Sequence, residues 1–325
     1  MPRTEHSLRR EILARVYYAV KPLIPRSVQI RMRRRVVRHR LSSYSHIWPI
    51  DPASARPPEG WSGWPGDKRF ALVLTHDVES EKGLNRCRDL VEVERARGFR
   101  SSFNFVAKKY AVPADLRRHL GETGFEVGVH GLYHDGKKFN SLKVFNSRVP
   151  EINRYLREWE ATGFRAPSMH CNLEWIGRLD IQYDMSTFDT DPFEPKSKGV
   201  GTIFPFVVPP ANGRNGFVEL PYTLPQDFTL FIVMGEGDCG IWKRKLDWIA
   251  ENGGMALINV HPDYLYFGDG IRGVDEYPVA LYEEFLDYAK ERFEGQYYHA
   301  TAGGLVAAMK EEGRLTHLTR ADSGG

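Results

Sequence analysis

A chain of 325 residues that is 42% hydrophobic and 27% charged has apolar material for one large α/β domain or two modest ones, and its composition argues against disorder. Three cysteines, Cys87, Cys171 and Cys239, form no CxxC pair and leave one over if any two are bridged, which argues against a disulfide framework and for a reducing compartment. The net charge of +3 hides an asymmetry: twelve Lys/Arg against Glu5 and Glu11 give residues 1–40 a charge of +10 and leave −7 for the rest.

The basic segment places Leu8, Ile12, Leu13, Val16, Tyr17 and Val20 at helical spacing. After Pro22 and Pro25, a second helix is expected over Ser27 to Leu41, where apolar residues mix with an arginine run. Residues 1–44 therefore read as a basic amphipathic helical extension. Its expected partner is an anionic membrane surface touched through residues 1–41, with a helix pair packed on the body as the alternative; nucleic acid is the weaker option and is not expected. No apolar run has the length of a secretory signal core or a membrane span, so the expected place is the cytoplasm, peripheral at the inner membrane face.

Residues 45–68 are dense in Pro, Gly and Trp and read as an ordered connector in which Trp48, Trp61 and Trp64 pack the chain down rather than stack on sugars. From Arg69, short apolar strands alternate with helices: FALVLT, a helix near 84–97, SSFNFVA, a helix over 113–122, FEVGVH, a helix over 150–161, FRAP and IQYDMS. The block from 200 to 235 looks like inserted strands and loops. The rhythm resumes with a helix over 242–252, MALINVHP, a helix over 278–293, QYYHA and a helix over 302–312. Such alternation predicts a parallel α/β fold over 69–315, and residues 316–325 read as a disordered tail.

The polar residues of interest sit where predicted strands end: Thr75-His76-Asp77-Val78-Glu79, His130, Arg165 and His261. In a barrel of parallel strands these ends share the face on which active sites are built. His130-Gly-Leu-Tyr-His134 spaces two imidazoles to meet one ion, but two histidines alone are more often surface or core residues. Asp77 and Glu79, two residues apart, supply the anionic partner, and both would need bound positive charge if ionised in a half-buried cleft.

Taken in order, THDVE, HGLYH, FRAP, FDTDPF and NVHP resemble the five ordered motifs of the polysaccharide deacetylases, from about Phe70 to His261. The resemblance implies a distorted (β/α)7 barrel and removal of N-acetyl groups from a carbohydrate or glycolipid by water activated on a divalent metal, Zn²⁺ or else Co²⁺ or Ni²⁺. It implies Asp77 as base, His130 and His134 as metal ligands, Arg165 orienting the base with Asp189 or Asp191 as relays, and His261 as the acid that protonates the departing amine. The family's second aspartate is replaced by Val78, which passes the carboxylate ligand to Glu79 and leaves open whether Glu79 or Asp77 binds the metal. Ser168 stands where the family often has an aromatic residue. Phe188, Asp191 and Tyr222 are expected on the sugar-binding side, and His76 behind the site. Deacetylase-like barrels also open cyclic amides and ureides, so a small-molecule C–N hydrolase is the alternative, and a catalytically silent glycan-binding protein is the third reading.

Overall fold

The computed structural model describes residues 24–315 except 136–138, 140, 170, 195–198, 211–215 and 269. The expected helix at Leu8–Val20 and the tail at 316–325 lie outside the described residues.

The first described helix, α1 (Arg26–Leu41), starts after Pro25 and ends with Arg38, His39 and Arg40 in its last turn, where cations suit the negative end of the helix dipole. Ile30 and Val37 are buried, and Arg34 Nε donates to the Ile232 carbonyl at 2.9 Å, so α1 lies against the body. The connector is packed down by its tryptophans. Trp64 Nε1 donates to the Gly253 carbonyl at 2.8 Å, Trp48 meets Phe193 edge-on, and Trp61 meets Phe204.

Strand β1 (Phe70–Val78) is buried at every residue, as a central strand covered on both faces must be. It runs three residues beyond FALVLT because Leu74–Val78 pair in parallel with β2 (Ser101–Phe105). The chain continues with α2 (Glu81–Ala96), α3 (Ala114–Glu122), β3 (Glu126–Val129), α4 (Leu142–Glu158), β4 (Gly163–Phe164) and, after the short α5 (Leu173–Ile176), β5 (Tyr183–Asp184). It then forms β6 (Phe206–Val208), β7 (Phe217–Glu219), α6 (Gly240–Asn252), β8 (Met255–Asn259), a small β9 (Leu265–Tyr266) and β10 (Tyr277–Pro278) pair, α7 (Ala280–Phe293), β11 (Tyr297–His299) and α8 (Ala302–Glu311).

In the main sheet β1, β2, β3, β4, β5 and β7 follow one another in parallel, and β8 takes the other side of β1. The turn closes where Thr223 and Leu224, just past β7, donate backbone bonds to the Leu257 carbonyl of β8 at 3.0 and 3.1 Å. Seven parallel strands thus surround the core in a distorted (β/α)7 barrel, with β6 added antiparallel to β7. Strand β11 wedges against Phe70–Leu72, the half of β1 that β2 leaves free.

Two elements depart from the sequence reading. Helix α4 begins at Leu142, well before the expected 150, with Pro150 inside it. Ser141 caps its start by accepting from the Val144 amide, and Phe145, Ile152 and Leu156 are buried along one stripe, which outweighs the hydrogen bond that Pro150 removes. The run FTLFIVM, read within a block of strands and loops, is a π-helix over Phe228–Met234 with Phe228–Val233 buried. A short apolar run of this kind has the same hydropathy as a buried strand, and only its packing under α1 distinguishes them. Among the described residues no helix is long and apolar enough to cross a membrane.

Candidate active site

The parallel topology brings the ends of β1, β3, β4 and β8 to one mouth of the barrel. Asp77 and Glu79 flank Val78, and alternation along a strand sends positions two apart to the same face while Val78 enters the surrounding core. His130 follows β3 directly. Gly131 and His134 take left-handed backbone, with φ of 68° and 47°, which folds the loop back until the two imidazole centres are 5.4 Å apart.

The side chains of Glu79, His130 and His134 offer ligand atoms that all lie within 4.8 Å of one another. His130 Nδ1 lies 3.1 Å from the Arg165 carbonyl, the hydrogen bond that fixes a ligating tautomer and leaves Nε2 as a bare lone pair. His130 Nε2 and His134 Nε2 are buried and without hydrogen-bond partners. His134 Nε2 is 2.8 Å from Glu79 Oε1, close enough for strong attraction yet without hydrogen-bond geometry. Burial, with the charge on His134 adding to it against the pull of Asp77, lowers His130 to about 4, so it is neutral at pH 7. Two neutral-capable imidazoles and one carboxylate converging with lone pairs unspent form the donor set that Zn²⁺ and similar ions take.

Asp77 is held differently. Its Oδ1 accepts from Asn104 Nδ2 at 3.1 Å and from Arg165 Nη1 at 3.2 Å, and its Oδ2 accepts from Asn259 Nδ2 at 2.9 Å. Burial pushes this carboxyl up, but Arg165, His130, His261 and the bond from Asn259 outweigh it and hold it at about 2. Asn104 can reach it because β3 carries Gly128, where a Cβ would stand 2.3 Å from Asn104 Oδ1. Arg165 is fully buried and also donates to the Met185 carbonyl, Thr75 Oγ1 and Asn259 Oδ1. The expected relays point elsewhere: Asp189 pairs with Lys245 at 2.7 Å and Asp191 accepts from Tyr222 Oη at 3.2 Å.

His261 follows β8 by two residues and faces the same cavity. Its Nδ1 lies 2.7 Å from Asp227 Oδ1, and Asp227 Oδ2 accepts both the His261 amide at 2.8 Å and Tyr277 Oη at 3.1 Å. Burial alone would lower this imidazole, but Asp227 first, then Glu79 and Asp77, raise it to about 10. It is therefore an imidazolium at neutral pH. Beside His261, with ring centres 5.2 Å apart, Tyr264 donates through Oη to Glu79 Oε2 at 3.0 Å, and Asp263 accepts from the Glu79 amide at 2.8 Å and from Ser80 Oγ, fixing the turn after β1.

The cavity has a volume of about 330 Å³ and is lined by Asp77, Glu79, His130, His134 and His261 together with Ser168, Met169, Glu194, Gln226, Phe228, Thr229, Tyr264, Arg26 and Arg33. Ser168 and Met169 hold left-handed backbone at φ of 57° and 50°, local strain of about 1–3 kcal/mol each that the surrounding packing must sustain. Phe188, Asp191 and Tyr222 lie buried behind this wall, tied together by a bridge between Phe188 and Tyr222, and do not line the cavity. His76 is turned outward from the barrel axis, bonded to the Val260 carbonyl and Glu94. Sequence reasoning missed Asn104, Asn259, Asp227, Tyr264, Arg26 and Arg33. Asp227 and Asn104 belong to no motif and meet their partners only in the folded chain, whereas Asn259 opens NVHP and Tyr264 lies two residues after it, so both could have been noticed there.

No protein-family model matches the sequence and no curated protein is similar to it. Solved structures are similar in fold. A chain described as a polysaccharide deacetylase of Mycobacterium smegmatis superposes with a TM-score of 0.58 at 18% identity, over 82% of this chain and 99% of that one. One so described from Pseudomonas aeruginosa PAO1 gives 0.59 at 17% identity, over 80% and 96%. The fold is that of the polysaccharide deacetylases. The PuuE allantoinase shares this barrel, with a TM-score of 0.57 at 17% identity over 81% of this chain and 98% of its own. The deacetylase-type barrel accounts for the common mouth of β1, β3, β4 and β8, while the chemistry has to be read from the side chains there.

Proposed function

We propose that the protein is a metal-dependent hydrolase that removes N-acetyl groups from a carbohydrate or glycolipid. The observation that carries this reading is the meeting, in one cavity, of a Glu79–His130–His134 donor set with an ionised Asp77 and an imidazolium at His261. Glu79, His130 and His134 would hold the divalent cation, Zn²⁺ or else Co²⁺ or Ni²⁺. When bound there, such an ion polarises an amide carbonyl and makes water a stronger acid.

The chain's own groups divide the remaining work. Asp77, locked by Arg165, Asn104 and Asn259, stays ionised and takes the proton lost by the attacking water. His261, held by Asp227, gives its Nε2 proton to the amine as the carbon–nitrogen bond breaks, so acetate and a free amine leave. An amide nitrogen departs poorly without that proton, which gives a raised imidazole pKa its use. A cavity of about 330 Å³ is at the small end of ligand sites and suits one acetamido sugar ring.

The test is acetate release from N-acetylated oligosaccharides with added Zn²⁺ or Co²⁺, with allantoin as the competing substrate. Release of acetate that His130→Ala abolishes is expected. Allantoin opening without acetate release would move the reading to a ureide hydrolase, and neither reaction would leave a silent glycan-binding protein.

Peripheral contact with an anionic membrane surface is the second part of the reading. The outer stripe of α1 exposes Val28, Met32 and Val36 at 38%, 47% and 53%, spaced four residues apart, with exposed Arg31, Arg35 and Arg38 beside it. An apolar stripe flanked by arginines is the form of an interfacial helix. Co-sedimentation with anionic vesicles is expected to fall at least about threefold in a Met32→Asp/Val36→Asp double variant. Equal sedimentation of variant and parent removes the contact from this stripe.

A further inference from the structure

Helix α1 has a second, inward stripe. Arg26, Ile30, Arg33 and Val37 are spaced four, three and four residues, so they share one face. Ile30 and Val37 are buried in it, as the core-facing side of a packed helix requires. The two arginines of the same stripe line the cavity beside the candidate active site. Both guanidinium groups lie over the ring of Phe228, at 5.1 and 5.0 Å from its centre, which holds them side by side at the rim.

Acetamide hydrolysis gives these cations no task. Asp77 already has Arg165, and the proton donor is His261. Arg26 is anchored through Nε to Asp275 at 3.0 Å and is drawn to Tyr264 as well, so it adds fixed positive charge beside Arg33. Arg33 is exposed and makes no ion pair among the described residues. Arg33 pulls on the buried Glu194 and Asp191, which burial raises to about 8 and about 6, but among the described residues neither closes to an ion pair with it. Two guanidinium groups held over one aromatic ring concentrate positive charge and N–H donors at the rim, the kind of group phosphate oxygens accept.

We infer that Arg33, with Arg26 beside it, binds a phosphate-class anion carried by the substrate, so that the site selects acetamido sugars bearing a phosphate ester over neutral ones. The inference rests on the deacetylase reading only for the identity of the reacting end. The phosphate could belong to a free sugar phosphate or to the headgroup of a lipid-linked sugar.

The experiment is calorimetric titration of the full chain, loaded with Zn²⁺, with N-acetylglucosamine 1-phosphate and with N-acetylglucosamine at low salt. The phosphate ester is expected to bind about tenfold tighter or more, a preference that Arg33→Gln reduces to under about threefold and Arg33→Lys partly restores. Equal affinity of the two sugars, binding of neither, or a preference that survives in Arg33→Gln overturns the inference. A second arm uses zwitterionic vesicles carrying an N-acetylhexosamine linked through phosphate to a polyprenyl chain. Arg33-dependent capture of these vesicles assigns the phosphate to a lipid headgroup, whereas Arg33-dependent binding of the soluble ester alone assigns it to a free sugar phosphate. Acetate release measured in parallel keeps the two readings apart: a phosphate preference without acetate leaves the anion site standing and removes the deacetylase assignment.

Discussion

Glu79→Ala is expected to lose bound Zn²⁺, whereas Asp77→Asn keeps the ion and loses turnover by about 10²–10⁴-fold, the usual contribution of a positioned proton acceptor. The two carboxylates share a face of β1 but not a situation. Glu79 turns one oxygen to His134 at 2.8 Å, where no hydrogen bond uses it, and its other oxygen accepts from Tyr264. Asp77 has both oxygens occupied by Asn104, Arg165 and Asn259, which keeps it ionised but leaves little room for coordination. Metal content by elemental analysis, measured beside single-turnover kinetics, separates them. Full metal stoichiometry in Glu79→Ala would falsify the assignment and return the ligand role to Asp77.

Asp227→Asn is expected to move the alkaline limb of the kcat/KM profile toward lower pH by about 1–3 units, the usual effect of losing an adjacent opposite charge. The sign follows from the charge balance. An imidazolium at His261 is stabilised chiefly by Asp227, and a neutral amide in its place favours the uncharged ring. The proton donor is then lost at a lower pH, so activity at pH 9 falls far more than activity at pH 6. The acidic limb, set by other groups, stays where it was. An alkaline limb unmoved in Asp227→Asn would show that His261 is not the group titrating there.

The pH behaviour of Asp77 contrasts with this. Its carboxyl sits at about 2, below the ordinary aspartate value. The stability that its network contributes is present above that ordinary value and is lost as pH falls through about 2. His261, raised to about 10, contributes stability that is complete below the ordinary histidine value and lost as pH rises through about 10. Across the neutral range both groups therefore hold the charge states the proposed reaction needs.

The sequence determined the parts that depend on local order. Alternating apolar strands and helices gave the parallel barrel, and its polar residues already stood at strand ends, because a strand leaving a buried core is where side chains first meet the mouth. The spacing of Asp77 and Glu79 set them on one side at the end of β1, and the HGLYH loop needed left-handed backbone at Gly131 and His134 to bring its two histidines together. The tertiary structure decided everything that spans the chain. Asn104 reaches Asp77 across 27 residues through the pairing of β1 with β2, and Asp227 reaches His261 across 34 from the start of the π-helix, contacts that leave no periodic trace in the text. The arginines of α1 read as one basic run, but only packing against Phe228 separates Arg26 and Arg33, which enter the cavity, from Arg31, Arg35 and Arg38, which stay outside. Helical spacing fixes which residues share a face, and it is the docked surface of the barrel that fixes which face turns inward.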